Sequence, residues 1–203
     1  MSISSEVSVR FARPSDADAT VVADTLRTAE PDFFSAAFGS RAGRVLREIV
    51  SRPGHAWSLD RARIAEVNDV CAGALIGGPV DRNQPDIFQS MPWAWTRLRA
   101  TAVALAWTPI YAFMRRHDEG EWYINAVAVV ETARGKGVGR ALLEDAIAQA
   151  SYLGMSSVAL HVDPRNSTAI GLYASEGFEI TDSWAPMWLA HRPLVHRMQM
   201  SLR

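Results

Sequence analysis

The first quarter of the chain changes from a strand-like to a helical hydrophobic period. Residues 7–11 alternate between apolar and polar side chains, which predicts a strand. Ser15 and Asp18 have the spacing of a capping box, and we expect the helix that they begin to run to about Ala29. Apolar residues then recur at helical spacing over 33–50, which predicts a second helix or a pair of short ones.

The middle of the chain contains strand-like runs. Two short runs, 57–67 and 70–76, meet at Asn68 and Asp69, which predicts an antiparallel hairpin. Residues 122–130 are apolar and uncharged, as is typical of a strand buried on both faces. We therefore place this strand at the centre of a sheet.

The segment after this central strand runs in the order loop, helix, strand. The glycine-rich loop is 134–140 (RGKGVGR), the helix follows at once, and 157–162 alternates as a strand. The crossover of such a unit is right-handed, so its two strands should be parallel neighbours. A short helix over 166–175 and strands at 178–181 and 195–202 complete a mixed α/β chain.

Composition narrows the class of protein. The 203 residues, 48% hydrophobic and 21% charged, fit one domain or a domain with a sizeable insertion. A net charge of -1 gives no general basis for binding nucleic acid. The start of the chain does not resemble a secretory signal, so we expect a cytoplasmic protein. The apolar run 91–114 contains Arg97, Arg99 and two prolines, and we expect no membrane span.

The glycine-rich loop carries the clearest chemical signal. Glycines at alternate positions let the backbone turn its N–H groups toward one point, and the following helix presents its positive end there. Three basic side chains in 134–140 suit a pyrophosphate. The spacing is neither that of a dinucleotide loop nor that of a nucleoside-triphosphate loop. The alternative is a basic helix start that needs glycine for packing.

Three motifs together resemble one family. The first is Arg134-Gly135-Lys136-Gly137-Val138-Gly139, and the second is Asn166 followed by Leu172-Tyr173 and Gly177-Phe178. The third is the opening Arg10-Phe11-Ala12-Arg13-Pro14-Ser15-Asp16. They resemble the GNAT superfamily of acyl-CoA-dependent N-acyltransferases. The resemblance covers 121–180 well, the first 78 residues loosely and 80–118 not at all.

The resemblance implies a fold and a reaction. The fold would be one domain, 1–203, with a mixed, mostly antiparallel sheet of six to seven strands flanked by helices. A helical, Trp-rich insertion, 79–119, would lie between strands 3 and 4. The reaction would be transfer of an acetyl group from acetyl-CoA to a primary amine of a small molecule by direct attack in a ternary complex. A protein or peptide acetyltransferase and a non-catalytic CoA-binding module of the same fold are the alternatives.

The resemblance also implies roles for individual residues. The backbone of Val127, Ala128 and Val129 would pair with the pantetheine arm. The pyrophosphate would be held by Arg134, Gly135, Lys136, Gly137, Val138, Gly139 and Arg140. Asn166 would bind the cofactor arm or cap its own helix. Tyr173 would contact the cofactor near the thioester sulfur and protonate the leaving thiolate, or else serve as a core aromatic.

The acceptor amine must lose a proton before it attacks, and Glu121 is the candidate base. It lies thirteen residues before Arg134, where some family members have a catalytic glutamate. Strand alternation places Glu121, Tyr123 and Asn125 on one face. The alternatives are a solvated glutamate at a strand entrance and a mechanism in which water is the base.

The remaining candidates are weaker. Cys71 fits a buried structural thiol better than an acyl-carrying nucleophile. The five histidines lack metal-ligand spacing, so we expect no metal site; His161, on a strand beside the cleft, is the one worth testing. Seven aromatic residues fall in segments that the family uses for acceptor recognition: Trp93, Trp95, Trp107, Tyr111, Phe113, Trp184 and Trp188. An aromatic acceptor pocket, packing on the sheet and a homodimer contact are all compatible with them.

Overall fold

The computed structural model describes residues 7–81, 87, 94–106, 108–187 and 192–202. Its strands are β1 (Val7–Phe11), β2 (Ala62–Val67), β3 (Val70–Pro79), β4 (Glu121–Val129), β5 (Ser157–Val162), β6 (Glu179–Trp184) and β7 (Val195–Ser201). Its helices are α1 (Asp16–Ala29), α2 (Pro31–Phe38), α3 (Ala42–Val50), α4 (Ala94–Ala106), α5 (Thr108–Met114), α6 (Val138–Tyr152) and α7 (Ser167–Ser175). Both α4 and α5 lie between β3 and β4, so the prediction of a helical insertion there is confirmed.

The strands form one sheet in the order β1-β2-β3-β4-β5-β7-β6. The pair β4–β5 is parallel and the other neighbouring pairs are antiparallel. The predicted mixed, mostly antiparallel sheet is therefore confirmed, and so is the parallel pair joined through α6. The apolar strand β4 lies in the middle of the order, as its lack of charge predicts.

Helices cover both faces of the sheet. On one face, α1, α2 and α3 bury a core around Phe34, Leu46 and Ile49. On the other face, α6 buries Leu142 and Leu143 against β3, β4 and β5. Ser15 begins α1 by accepting a hydrogen bond from the Asp18 N–H at 3.2 Å, as the capping box predicts.

The structure differs from the sequence prediction before β2. Residues 57–61 belong to a turn and a 3-10 helix, and β2 begins at Ala62. The cause is His55, which is fully buried and bonds to both sides of the turn. Its Nε2 lies 2.9 Å from the Ile49 carbonyl oxygen, and its Nδ1 accepts the Trp57 N–H at 3.1 Å. This anchored turn cannot extend as a strand.

The described part of the insertion packs back onto the first helices. Ala100 of α4 is buried in the core with α1–α3, and Tyr111 of α5 packs against the same core. Arg99 donates from Nε to the Ala36 carbonyl oxygen at 3.0 Å. The rings of Tyr111 and Phe33 meet edge to face, with centroids 5.4 Å apart. These contacts place the insertion over the α1–α2 side of the sheet.

Candidate active site

The parallel pair β4–β5 is open at one end. The strands pair from Glu121 with Ser157 to Ile124 with Leu160, and β4 then continues along β3 as far as Val129. Beyond Ile124, no strand in the described part of the chain pairs with the β4 edge that faces β5. Backbone groups at such an edge can bind an extended ligand that carries amides. Val127, Ala128 and Val129, predicted to bind pantetheine, lie in this segment.

A β-bulge marks the place where β4 leaves β5. Ile76 pairs with Ala126 and Gly77 with Ile124, so Asn125 has no partner of its own in the ladder. Bulges bend a strand and change which face its following side chains occupy. The Asn125 amide nitrogen lies 3.5 Å from the Ala56 carbonyl oxygen, at the edge of hydrogen-bonding distance. The bulge therefore interrupts the strict alternation that the sequence suggested after Tyr123.

The glycine-rich loop joins the end of β4 to α6. Gly135 and Gly137 have φ of 74° and 81°, and a Cβ at either would meet nothing within 4 Å. Backbone conformation, and not crowding, is thus the reason for glycine at both positions. Gly137 is the N-cap of α6 and makes no side-chain cap. The N–H groups of the first turn of α6 and the positive end of its dipole are therefore directed toward the exposed loop.

Gly139 has a different reason for being glycine. A Cβ there would come within 3.0 Å of Leu172 Cδ2 and 3.6 Å of Val129 Cγ2. The end of β4, the start of α6 and the helix α7 therefore meet at this point. The alternative reading of the loop, glycine for packing, applies to Gly139 but does not explain the positive φ of Gly135 and Gly137.

The three basic side chains of the loop differ in their contacts. Arg140 Nε pairs with Glu176 Oε1 at 2.8 Å, and its NH2 donates to Ser175 Oγ at 3.2 Å. Arg134 and Lys136 are exposed, and neither joins an ion pair within the described ranges. Arg134 and Lys136 are thus the side chains available to an anion, whereas Arg140 ties α6 to α7.

Asn166 and Tyr173 lie at the start and in the last turn of α7. Asn166 caps the helix, since its Oδ1 accepts the Ala169 N–H at 3.1 Å. Tyr173 is 6% exposed and packs on Phe178, with ring centroids 6.0 Å apart. Burial raises the pKa of Tyr173 to about 12, so its phenol stays protonated at neutral pH. A neutral phenol can donate a proton.

Glu121 is buried, with 1% exposure, and is surrounded by donors. Arg197 of β7 forms an ion pair with it, His117 Nδ1 lies 2.8 Å from Oε1, and the Asp118 N–H donates to Oε2 at 3.4 Å. Burial would raise the pKa of Glu121, but the hydrogen bonds and charges of His117 and Arg197 outweigh it and hold the pKa below its ordinary value. A carboxylate held in its ionised form by these partners is poorly suited to accept a proton.

Sequence reasoning missed the partners of Glu121. Arg197 also binds Asp118 Oδ2 at 3.1 Å and the Arg116 carbonyl oxygen at 3.2 Å. No signal in the sequence indicates this role, because strand alternation places Arg197 on the same face as the polar residues Gln199 and Ser201. The expectation of a solvated glutamate is replaced by a buried ion pair that fastens β4 to β7 across β5.

A second polar pair lies on the same face of β4 and β5. Tyr123 Oη and His161 Nδ1 share a hydrogen bond of 2.8 Å. Burial, followed by the positive charges of Arg197 and His117, lowers the pKa of His161 to about 4, so its imidazole is neutral at physiological pH. Its Nε2 is buried and has no hydrogen-bond partner among the residues that the structure describes. Since β4 and β5 separate just beyond this pair, it lies at the mouth of the opening.

The insertion covers this pair. The Phe113 ring meets the His161 ring with centroids 5.4 Å apart, and the His117 ring meets that of Tyr123 at 4.6 Å. Tyr111 and Phe113, two of the seven aromatic residues considered for an acceptor pocket, therefore pack inside the molecule. Trp184 is half-buried in β6. The predictions for Trp93, Trp107 and Trp188, and for the side chain of Trp95, lie outside the described residues.

The other candidates have simpler surroundings. Cys71 is half-buried in β3, and burial raises the pKa of its thiol, which disfavours the thiolate. Over the described ranges, no group of three or more His, Cys, Asp or Glu side chains is arranged to hold a metal ion. None of the described helices has both the length and the apolar character that crossing a membrane requires.

Comparison with known proteins identifies the family. A sequence model described as the acetyltransferase (GNAT) family matches residues 23–178. Mycothiol acetyltransferase of Renibacterium salmoninarum is 40% identical over 78 residues, which are 38% of this chain and 22% of that protein. Mycothiol acetyltransferase of Thermobispora bispora is 34% identical over 99 residues, 48% of this chain and 33% of that protein. The matched segments thus span a third or less of these two relatives.

The fold has solved counterparts. An N-acetyltransferase from Staphylococcus aureus Mu50 superposes with a TM-score of 0.63 at 17% sequence identity, over 95% of this chain and all of that one. At this identity the likeness concerns the fold. The shared architecture agrees with the family that the sequence model identifies.

Proposed function

Because the chain belongs to the GNAT family of acetyltransferases, we propose that it transfers an acetyl group from acetyl-CoA to a primary amine of a small molecule. The observation that carries the proposal is the convergence of three parts: the unpaired edge of β4, the glycine-rich start of α6, and Tyr173 in α7. Each offers what a different portion of acetyl-CoA requires.

The residues present fit acetyl-CoA. The backbone of Val127–Val129 can pair with the amides of the pantetheine arm as an added strand would. The loop N–H groups and the end of α6 would bind the pyrophosphate, with Arg134 and Lys136 as exposed cations beside them. Arg140 would reach a phosphate only by leaving Glu176. Asn166, which already caps α7 through its oxygen, would contribute its amide nitrogen.

The reaction needs three proton transfers: two protons leave the acceptor nitrogen and one joins the departing sulfur. Acetyl-CoA supplies an activated acetyl group, and the amine nitrogen forms a bond to its carbonyl carbon while the carbon–sulfur bond breaks. Tyr173 would give its hydroxyl proton to the departing sulfur and regain one from solvent. The amine must first lose its own proton, and the ion pair with Arg197 argues against Glu121 as the acceptor of that proton. We therefore propose that Glu121 holds the strands in place.

A small-molecule acceptor has two supports. The described part of the insertion lies over the α1–α2 side of the sheet and narrows access to the Tyr123–His161 pair, whereas a protein tail needs an open groove. The two relatives from Renibacterium salmoninarum and Thermobispora bispora are named for mycothiol and not for a protein. The acceptor of this chain need not be the same compound.

The test is release of free thiol from acetyl-CoA across a panel of amines, amino acids and peptides. We expect turnover with small primary amines and little or none with peptides. Turnover confined to peptides would identify a peptide acetyltransferase. Tight CoA binding without turnover of any acceptor would identify a binding module.

A further inference from the structure

Glu30 is a carboxylate that the mechanism above does not use. It forms the junction of α1 and α2: its N–H donates to the Leu26 carbonyl oxygen at 3.1 Å, and its own carbonyl oxygen accepts the Phe34 N–H at 3.2 Å. Two helices therefore fix its backbone. Because α1 packs against β4, this junction lies on the face of the sheet that carries Tyr123.

The surroundings of the Glu30 side chain are unusual for a carboxylate. It is half-buried and accepts a hydrogen bond from the Tyr111 hydroxyl of α5. No ion pair formed within the described ranges involves Glu30. A carboxylate withdrawn from water without a cation favours any positive group that can reach it.

The helix α5 connects Glu30 with the Tyr123–His161 pair, because its Tyr111 bonds to Glu30 and its Phe113, two residues later, contacts the His161 ring. Burial is the main cause of the raised pKa of Tyr123, and the negative charge of Glu30 is the next. Four polar side chains from four elements thus share one region: Glu30 at the end of α1, Tyr111 of α5, Tyr123 of β4 and His161 of β5. We call these four side chains the Glu30 group. The Phe33 ring contacts that of Tyr111, and the Phe113 ring contacts that of His161.

We propose that Glu30 binds the ammonium group of the acceptor and takes a proton from it before the nitrogen attacks. This proposal rests on the proposed function and names the base that it requires. The N–H bond of the ammonium breaks, the proton joins the Glu30 carboxylate and the free amine keeps the electron pair. The carboxylic acid then returns the proton to solvent. When the amide forms, the nitrogen loses its second N–H proton to solvent.

The charge balance of the region agrees with this role. Burial raises the pKa of Glu30, which makes it a stronger base than an exposed glutamate. Tyr123 keeps its proton because its pKa is raised, and His161 is a weak base because its pKa is lowered. Both can bind the acceptor as neutral hydrogen-bonding groups. Among these four side chains Glu30 is the one carboxyl group, and it has no ion-pair partner within the described ranges.

The variant Glu30→Gln tests the proposal. Glutamine keeps the shape and can still accept the hydrogen bond from Tyr111, but it has no charge and cannot act as a base. We expect kcat/KM for an amine substrate to fall by roughly 10²- to 10³-fold, with unchanged affinity for CoA. The rise of kcat/KM with pH that reports the base should disappear. Asp32→Asn is the matched control, since Asp32 is an exposed carboxylate two residues away.

A binding measurement makes the test independent of turnover. With the CoA-saturated protein at neutral pH, calorimetry would compare 2-phenylethylamine with its neutral counterpart 2-phenylethanol. We expect the parent and Asp32→Asn to bind the amine about tenfold more tightly or better, and Glu30→Gln to lose that preference. A parent without the preference, or a Glu30→Gln variant that keeps it, overturns the proposal. If the preference depends on Glu30 but no amine is acetylated, the proposed function fails while the ammonium site stands.

Discussion

Glu121 and Glu30 are two carboxylates on the same side of the sheet, and their surroundings shift their pKa values in opposite directions. Glu121 is the more deeply buried, yet Arg197 and His117 hold its pKa below the ordinary value. Glu30 is less buried, but without a cation its pKa is raised. The comparison shows that burial alone does not decide whether a carboxylate can act as a base. The partners present in the folded state decide it.

The two surroundings also differ in what they join. The ion pair of Glu121 with Arg197 connects β4 with β7 across β5, so it holds together the strands at which the opening begins. The Glu30 group forms where the insertion packs on α1 and α2. One carboxylate therefore joins strands of the sheet, whereas the other lies at the junction of two helices with the insertion.

The largest effect on stability should come from removing Arg197, the cation that pairs with Glu121. In Arg197→Met the carboxylate stays buried without its main partner, and we expect a loss of about 3–5 kcal/mol in the free energy of unfolding. Arg27→Met is the control, because the Arg27–Asp24 pair is exposed and should contribute about 0–1 kcal/mol. Urea denaturation measures both. Equal losses in the two variants would contradict a structural role for the Arg197–Glu121 pair.

Neutralising each glutamate should change stability in opposite directions. A lowered pKa in the folded state contributes stability that is present above the unfolded pKa and is lost as the pH falls through the folded pKa. Glu121→Gln should therefore cost about 1–3 kcal/mol at pH 7. A raised pKa has the reverse sign, because ionisation of Glu30 in the folded state opposes folding above that pKa. Glu30→Gln should leave the protein as stable or more stable at pH 7.

The pH dependence of unfolding checks these signs. The stability difference between the parent and Glu121→Gln should shrink below the ordinary glutamate pKa of about 4.3, as the pH falls through the lower folded pKa of Glu121. The difference between the parent and Glu30→Gln should shrink as the pH falls through the raised pKa of Glu30 toward the ordinary value. A destabilised Glu30→Gln protein at pH 7 would show that this charge is compensated in the native state.

The smallest effect concerns the hydrogen bond from Tyr111 to Glu30. This bond favours the ionised carboxylate, so Tyr111→Phe should raise the pKa of Glu30 further. The ascending limb of the kcat/KM profile should then move to higher pH, with about a threefold change or less at the optimum. Tyr152→Phe, at a tyrosine that is 86% exposed, is the control and should leave the profile in place. If the ascending limb of the kcat/KM profile stays in place in Tyr111→Phe, the Tyr111 hydrogen bond does not act on the catalytic base.

Much of the fold could be predicted from the sequence because its signals are local. The alternation of 7–11, the cap at Ser15, the apolar run of β4 and the glycine spacing of 134–140 depend on neighbours within a few residues. The turn at 57–61 was predicted as strand because its anchor, His55, gives no periodic signal. Asn125 was assigned to a regular face because a bulge depends on the partner strand, which the pattern of one strand does not contain.

The candidate site divides in the same way. The sequence by itself determined the glycine-rich loop before α6 and the place of Tyr173 in the later helix α7, since backbone conformation and motif spacing are properties of consecutive residues. Only the tertiary structure decided which carboxylate is paired and which is not. Arg197 reaches Glu121 across 76 positions, and Tyr111 reaches Glu30 from an insertion that the family resemblance did not cover. Electrostatic environment depends on distance in space, and folding alone brings these charges together.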